Sequence, residues 1–155
     1  MPKLPPKALL AVALALGCTV APVPARTATT FVIPTDLPNG RVEITIAPAY
    51  ARGLTLTIPI AIVATRGSIT LLSAKIMASG INEGGAPAEV LVRELTTSPL
   101  MVTAGGRRST VVSWNTLDAK GVIVPPDAYS LVLEVRSDDG TTSRTLTAGA
   151  TLELR

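Results

Sequence analysis

The sequence predicts an all-β sandwich, and three features of the 155-residue chain support this fold class. Apolar and polar residues alternate along most of the chain beyond Thr30, which is the period of half-buried strands. The alternating runs are separated by Gly, Asn and Asp, the residues that turns favour. No stretch after Thr30 shows the 3.6-residue period of an amphipathic helix. Strands of this kind bury their apolar faces by packing as two sheets.

Seven alternating runs define the predicted strands. They are Arg41 to Ile46, Leu54 to Val63, Ser68 to Met77, Ala88 to Leu95, Ser109 to Trp114, Tyr129 to Arg136 and Arg144 to Leu154. The turn segments between them include Pro38 to Gly40, Asn82 to Gly85, Gly105 to Gly106, Asp118 to Gly121 and Asp138 to Gly140. Pro59 interrupts the second run and cannot donate to a ladder, so we expect an edge, a bulge or a strand switch there. Seven to eight strands in one domain, residues 31–155, are expected.

Residues 1–17 have the order expected of an export signal. Lys3 and Lys7 precede the uncharged run from Ala8 to Leu16, and the small residue Gly17 follows it. This run has nine residues, whereas a membrane-spanning helix needs about 20, so a permanent transmembrane anchor is not expected. The predicted organisation is a signal peptide at 1–17, a flexible Pro/Thr/Ala tether at 18–30 and the β domain at 31–155.

Two cleavage sites compete at the end of this signal. Leu14 to Cys18 resembles a bacterial lipobox, which would make Cys18 the lipidated N-terminus of the mature protein. The alternative is cleavage after Ala25, which would discard Cys18 with the signal. The first site predicts a lipoprotein of the periplasm, outer membrane or cell surface, and the second predicts a secreted protein.

The composition excludes several classes of function. The chain has no His, which removes catalytic triads and zinc sites that need an imidazole. Its single Cys allows neither an intramolecular disulfide nor a cysteine-rich metal site. No glycine-rich phosphate loop follows a strand and opens a helix. We therefore expect a protein that is not an enzyme and that has no cofactor and no metal.

The charge balance gives no support for nucleic-acid binding. The formal charge is +3, but loss of Lys3 and Lys7 with the signal leaves twelve basic and eleven acidic residues. Only Arg107 and Arg108 are adjacent, and the chain has one Trp, two Tyr and one Phe. A nucleic-acid face needs clustered basic residues, usually with aromatic side chains for stacking.

The most informative segment runs from Val111 to Leu131. A strand ends in Trp114, a turn closes at Gly121, a short extended piece ends in two prolines, and a Tyr opens the next strand. The residues of this pattern are Trp114, Asp118, Gly121, Pro125, Pro126 and Tyr129. Trp114 and Tyr129 are expected to be the largest core side chains in a domain that has few aromatic residues.

This pattern resembles the signature of two groups of bacterial immunoglobulin-like domains, over about residues 89–136. One group occurs in flagellar hook-capping proteins, and the other is the intracellular proteinase inhibitor family. The segments 90–94 and 100–108 are more similar to the inhibitor type, whereas Asn115 and Asp127 stand where the pattern has Asp and Gly. The resemblance implies an immunoglobulin-like β-sandwich, in which these residues are mainly structural.

Several other residues could form functional sites, but for each of them we favour a purely structural role. Asp138 and Asp139 have the spacing of a hairpin turn more than that of a calcium site. Asp118, Asp127 and Glu134 lack metal-loop spacing and are expected in solvent. Arg107 and Arg108 are expected to be exposed, and Met77 and Met101 to fill the core.

These features predict a non-catalytic exported module, held by lipid at Cys18 and bound to a protein partner by its loops or by an open sheet edge. A second hypothesis, implied only by the resemblance, is a protease inhibitor that acts through Asn82 to Pro87 or Thr96 to Arg108. A third is a fibre subunit whose Thr30 to Pro48 segment inserts into a neighbour.

Overall fold

The alternating runs form nine strands in the computed structural model of the protein, which describes residues 29–155. The strands are β1 (Phe31–Leu37), β2 (Gly40–Ile46), β3 (Leu56–Ala64), β4 (Ser68–Ile81), β5 (Pro87–Leu95), β6 (Leu100–Thr103), β7 (Arg107–Trp114), β8 (Ala128–Asp138) and β9 (Ser143–Glu153). The described residues contain no helix, and hence none that is long and apolar enough to cross a membrane. The predicted all-β class is confirmed.

The strands form two antiparallel sheets packed face to face. One sheet has the order β1-β2-β3-β7, and the other has the order β5-β4-β8-β9, with β6 pairing with the first part of β4. The chain changes sheet between β3 and β4, between β6 and β7, and between β7 and β8. This arrangement is an immunoglobulin-like sandwich, as the signature implied.

The core consists of the aliphatic side chains between the two sheets. Its fully buried members include Ile44, Ile58, Ile60, Ile62, Ile69, Leu71, Ile76, Leu131, Leu133 and Leu152. The alternating apolar residues at the end of the chain share one face and all contact this core; they are Leu146, Ala148, Ala150, Leu152 and Leu154. Burial of each large aliphatic side chain contributes about 1.5–3 kcal/mol.

Two strands are absent from the sequence-based prediction. β1 contains Pro34 and pairs along its whole length with β2, from Phe31 opposite Ile46 to Leu37 opposite Gly40. β6 has four residues and lies within Thr96 to Arg108, one of the two segments that the inhibitor hypothesis assigns to the protease cleft. The expectation that Met101 fills the core is wrong: β6 turns Val102 inward, and Met101 is 57% exposed.

Pro59 lies within β3, where the three expected alternatives, an edge, a bulge or a strand switch, can be compared with the pairing. It is opposite Val111 in the ladder between β3 and β7. The ladder between β2 and β3 ends at the pair Ile44–Ile60, one residue away. Pro59 thus occupies a part of β3 that has a neighbour on one side only. The expected edge exists locally, within an otherwise central strand.

A buried asparagine closes one end of the sandwich. Asn39 lies in the β1–β2 turn with no exposed surface. Its amide nitrogen donates to the carbonyls of Ser68 (2.7 Å) and Asp138 (3.1 Å). Its side-chain oxygen accepts from the Ser137 hydroxyl. One side chain therefore connects the first sheet to β4 and β8 of the second.

The backbone of the same turn holds the β3–β4 connection. The Asn39 carbonyl accepts hydrogen bonds from the amides of Thr65 (2.8 Å) and Arg66 (3.3 Å). Gly67 follows with φ +61°, and a Cβ there would collide with the Asp138 carbonyl oxygen. Glycine is required at position 67 both by its dihedral angle and by the close approach of β8.

Replacing Asn39 by Ala is expected to lower the free energy of unfolding by about 2–4 kcal/mol, because it leaves Ser137 and two carbonyls without their partner. Asn82→Ala is the control: Asn82 is exposed and accepts from the amides of Gly84 and Ala86, so its loss should cost under about 1 kcal/mol. Urea unfolding measures both. Equal losses would contradict the role assigned to Asn39.

Candidate functional site

The end of the sandwich opposite Asn39 is built around two aromatic side chains. Trp114 ends β7 and Tyr129 is near the start of β8; their rings meet edge to face, with centroids 5.3 Å apart. The indole nitrogen of Trp114 donates to the Leu117 carbonyl (2.9 Å). The Tyr129 hydroxyl donates to the Pro125 carbonyl, four residues upstream (2.9 Å). This is the tyrosine corner of immunoglobulin-like folds.

The Tyr129 hydroxyl is protonated near neutral pH, as any ordinary phenol is, and so can donate to the Pro125 carbonyl. Burial raises the pKa of this phenol above its ordinary value, and the nearby carboxylate of Asp127 raises it further. Pro125 and Pro126 themselves are exposed, so the tyrosine fixes their backbone and leaves their rings on the surface.

Asp118 organises the turn within the β7–β8 loop, residues 115–127. Its carboxylate accepts from the amides of Lys120 (2.8 Å) and Val122 (2.9 Å). Its own amide donates to the Val122 carbonyl (2.9 Å). Gly121 lies in this turn with φ +79°, a conformation that glycine adopts without strain. The spacing of Asp118 and Gly121 in the signature is thus the spacing of one turn.

Thr116 holds the loop to the segment before β3. It is fully buried and has φ +58°, which is strained for a β-branched residue. Its hydroxyl accepts from the Gly53 amide (2.9 Å), and its carbonyl accepts from the Val124 amide (3.0 Å). These bonds hold the strained backbone in place. The residue types alone gave no signal for this constraint.

The loop is also fastened to β5 of the other sheet. The Ala119 amide donates to the Val92 carbonyl (2.9 Å). The guanidinium of Arg93 donates to the Asp118 carbonyl (2.6 Å). Val92 is the extra residue of a β-bulge, since Ile76 pairs with Arg93 and Met77 pairs with Leu91. The bulge thus lies where the loop contacts the strand.

A groove of about 430 Å³ lies between this loop and the β4–β5 hairpin, and we call it the end groove. Its lining residues are Ala78, Ser79, Leu91, Val92, Asp118, Ala119, Lys120, Val124, Pro125, Asp127 and Tyr129. Seven of these residues are aliphatic or aromatic, and Asp118, Lys120 and Asp127 supply charge. Three signature residues therefore contribute to one concave surface.

Exposed apolar side chains lie on both segments that form the end groove. Ile81, Val90 and Leu91 on the hairpin are 73%, 49% and 48% exposed. Val122 and Ile123 on the loop are 59% and 52% exposed. Leu91 lines the end groove itself, and the other four lie on the two segments that form it. Exposed apolar side chains that occur together in this way are typical of a protein-binding site.

The acidic residues singled out in the sequence do not form one cluster. Asp118 and Asp127 both line the end groove, whereas Glu134 lies in the middle of β8, where it accepts from the Ser73 hydroxyl (2.7 Å). Lys75 is 3.7 Å from the same carboxylate. Nowhere in residues 29–155 do three or more acidic side chains converge as metal ligands would.

Arg107 is paired, and Arg108 is its exposed neighbour. The Arg107 guanidinium lies 2.9 Å from the Glu43 carboxylate, which Arg41 approaches to 2.8 Å from the other side. The hydrogen bond from Arg107 is the main cause that holds the pKa of Glu43 below its usual value. This charged row crosses the outer face of the first sheet, away from the end groove.

Asp138 and Asp139 form the predicted hairpin turn between β8 and β9. The Asp138 carboxylate accepts from the Gly140 amide (2.8 Å). The Asp139 carboxylate accepts from the amides of Thr141 (2.9 Å) and Thr142 (2.8 Å). The bond from Thr142, followed by that from Thr141, holds the pKa of Asp139 below its usual value. Both carboxylates thus take part in the turn.

Cys18, the predicted lipid attachment site, lies outside the described residues, as do the predicted signal peptide and most of the predicted tether. In comparisons with known proteins, no family model matches the chain and no curated protein matches it. The resemblance to hook-capping and proteinase inhibitor domains therefore stays a prediction, and the geometry of the domain carries the functional proposal.

Tyr129→Phe is expected to lower the free energy of unfolding by about 1 kcal/mol, because the Pro125 carbonyl loses its donor while the ring contact with Trp114 is retained. Thermal unfolding of the two proteins measures the difference. A variant as stable as the wild type would show that the tyrosine corner does not hold the loop.

Asp139 is expected to contribute to acid unfolding. Its pKa is lower in the folded state than the unfolded value of about 3.9, so its contribution is complete above that pH and is lost as the pH falls through the folded pKa. Asp139→Asn should therefore flatten the loss of stability below about pH 4. Urea midpoints measured across this range test it, and an unchanged slope would contradict it.

Proposed function

We propose that the protein is a non-catalytic binding module of the bacterial envelope that holds a protein partner in the end groove. The observation that supports this most directly is the group of exposed apolar side chains on the two segments that form the groove, of which Leu91 lines it. A partner that covers Leu91, Val122 and Ile123 would remove apolar surface from water, which is the main favourable term in protein association. The charges of Asp118, Lys120 and Asp127 would form the polar rim.

The rigidity of the loop supports this assignment. Residues 115–127 are held by Trp114, Tyr129, Thr116 and the bonds to β5. A surface fixed in this way loses little conformational entropy when a partner binds. Immunoglobulin-like domains commonly bind through loops at the ends of the sandwich.

Attachment to the membrane through lipid on Cys18 forms the second half of the proposal. The order of residues 1–18 supports export and lipidation. A lipid at Cys18 would leave residues 19–30 between the membrane and β1, which begins at Phe31. The binding end would then be presented from the surface of the membrane by a short tether.

Protease inhibition is a second candidate, which one observation favours. The tip of the β4–β5 hairpin is exposed from Ile81 to Pro87, and the side-chain oxygen of Asn82 accepts from the Gly84 and Ala86 amides. A braced, protruding loop is suited to a protease cleft. The other predicted inhibitor segment, Thr96 to Arg108, contains β6 and the buried Val102, so Asn82 to Pro87 is the better candidate.

The fibre hypothesis has less support from the pairing of its proposed donor segment. Thr30 to Pro48 contains β1 and β2, which pair with each other, while β2 also pairs with β3. Insertion of this segment into a neighbour would require these ladders to break. We therefore do not propose strand exchange through it.

A photo-cross-linking residue placed at position 123 tests the binding site in cells of the source organism. We expect a cross-linked adduct of defined mass from position 123, and no adduct when the same residue replaces Thr57 on the outer face of the first sheet. An adduct from Thr57 alone would contradict the end groove as the site. The protease-inhibitor hypothesis is tested separately with a panel of proteases. Inhibition by the wild-type protein that is lost in Asn82→Ala would favour this hypothesis over the binding module.

Membrane attachment is tested by fractionation. The wild-type chain is expected in the membrane fraction, and Cys18→Ser in the soluble fraction, because removal of the thiol removes the acceptor for the lipid. Thr19→Ser is the control and should behave as the wild type. An exported Cys18→Ser variant that stays in the membrane would contradict lipid anchoring.

A further inference from the structure

The edge strands of the two sheets differ in how they are protected against pairing with another chain. An edge strand presents unpaired amides and carbonyls, and proteins usually block such edges with proline, charge, bulges, short strands or a covering loop. In residues 29–155 the edges are β1 and β7 of the first sheet, and β9 and the β5–β6 side of the second.

Three of these edges carry a blocking feature. β1 has Pro34 in its middle, and β7 begins with Arg107 and Arg108. β5 begins with Pro87, contains the bulge at Val92 and is covered there by the amide of Ala119. β6, beside it, has only four residues.

β9 carries none of these features between Thr145 and Leu152. It has eleven residues, and its ladder with β8 runs from Ser143 to Glu153 without a register shift. It contains no proline, and from Thr145 to Leu152 it contains no charge. Its outward-facing side chains include Thr145, Thr147 and Thr151, which are well suited to strands.

The hydrogen bonds at the end of β9 identify which of its backbone groups point to the free edge of the sheet, away from β8. The Leu154 amide donates to Asp127 on the β8 side, whereas the Glu153 carbonyl accepts from Tyr50 on the opposite side (2.8 Å). Because the direction alternates along an antiparallel strand, Thr145, Thr147, Gly149 and Thr151 present their amides and carbonyls outward. No backbone partner for these groups occurs in the described part of the chain.

We propose that β9 pairs with β9 of a second copy of this chain, in antiparallel orientation about Ala148, to form one continuous sheet. In this register Thr145 is opposite Thr151, and Thr147 is opposite Gly149. The pairing runs from Thr145 to Thr151 of each copy, because Tyr50 already bonds the Glu153 carbonyl on this side of the strand. The uncharged middle of the strand brings no like charges together.

Apolar surface on the same flank supports a second copy as the occupant. A groove of about 430 Å³ over the middle of β9 includes Ile33 and Ile46 of the first sheet together with Gly149 and Ala150. Phe31 is 50% exposed nearby on β1. A second sandwich beside β9 would cover this flank. In a symmetric dimer each copy contributes the same flank to the interface, so the apolar surface of both is covered.

The test measures the mass of the full chain, purified from the envelope in detergent micelles, by sedimentation equilibrium with the detergent density-matched. We expect twice the protomer mass for the wild type. Thr147→Pro should give the protomer mass, because it removes an outward amide and keeps the bonds to β8. Thr147→Val is the matched control and should keep the doubled mass, because its backbone donor is intact.

A second variant separates loss of pairing from loss of folding, since an unfolded Thr147→Pro chain would not pair either. Thr147→Lys introduces edge charge at the same position and should also give the protomer mass, with circular dichroism and a melting transition like those of Thr147→Val. A wild-type chain with the protomer mass would overturn the proposal. A doubled mass in folded Thr147→Lys and Thr147→Pro would also overturn it, because the copies would then meet elsewhere.

Discussion

The passage of the chain from β7 to β8 is the constraint on which the functional end of the domain depends. Thirteen residues, 115–127, must cross from one sheet to the other over an apolar core. Trp114 and Tyr129 stand at the two ends of this passage and contact each other edge to face. Each also satisfies a carbonyl of the loop, so the largest side chains of the core determine the path of the backbone above them.

The same arrangement explains how a domain with few aromatic residues and no disulfide keeps its ends closed. The aliphatic core holds the sheets together, but apolar contacts do not fix the path of the connecting segments. Hydrogen bonds of polar side chains fix that path: those of Asn39 at one end, and those of Thr116, Asp118 and Tyr129 at the other. No buried side-chain nitrogen or oxygen in residues 29–155 lacks a hydrogen-bond partner. Specificity at both ends thus rests on a small number of satisfied bonds.

The sequence predicted the fold class and seven of the strands because a period of two survives wherever one strand face is buried. It missed β1, whose outward and inward residues are all at least partly exposed, and β6, which is too short to show a period. It identified Asp118 and Gly121 through turn chemistry that is local in sequence. It did not reveal the end groove or the burial of Asn39, because both depend on contacts between residues far apart in the chain.

The central claim is that the β7–β8 loop is a rigid wall of the end groove, and native-state amide hydrogen exchange tests it most directly. The amides of Ala119, Val122 and Val124 donate to Val92, Asp118 and Thr116. We expect slow exchange at these three amides, and faster exchange there in Tyr129→Phe while the β8–β9 ladder is unchanged. Exchange in the wild type as fast as that of an unstructured peptide would contradict the claim.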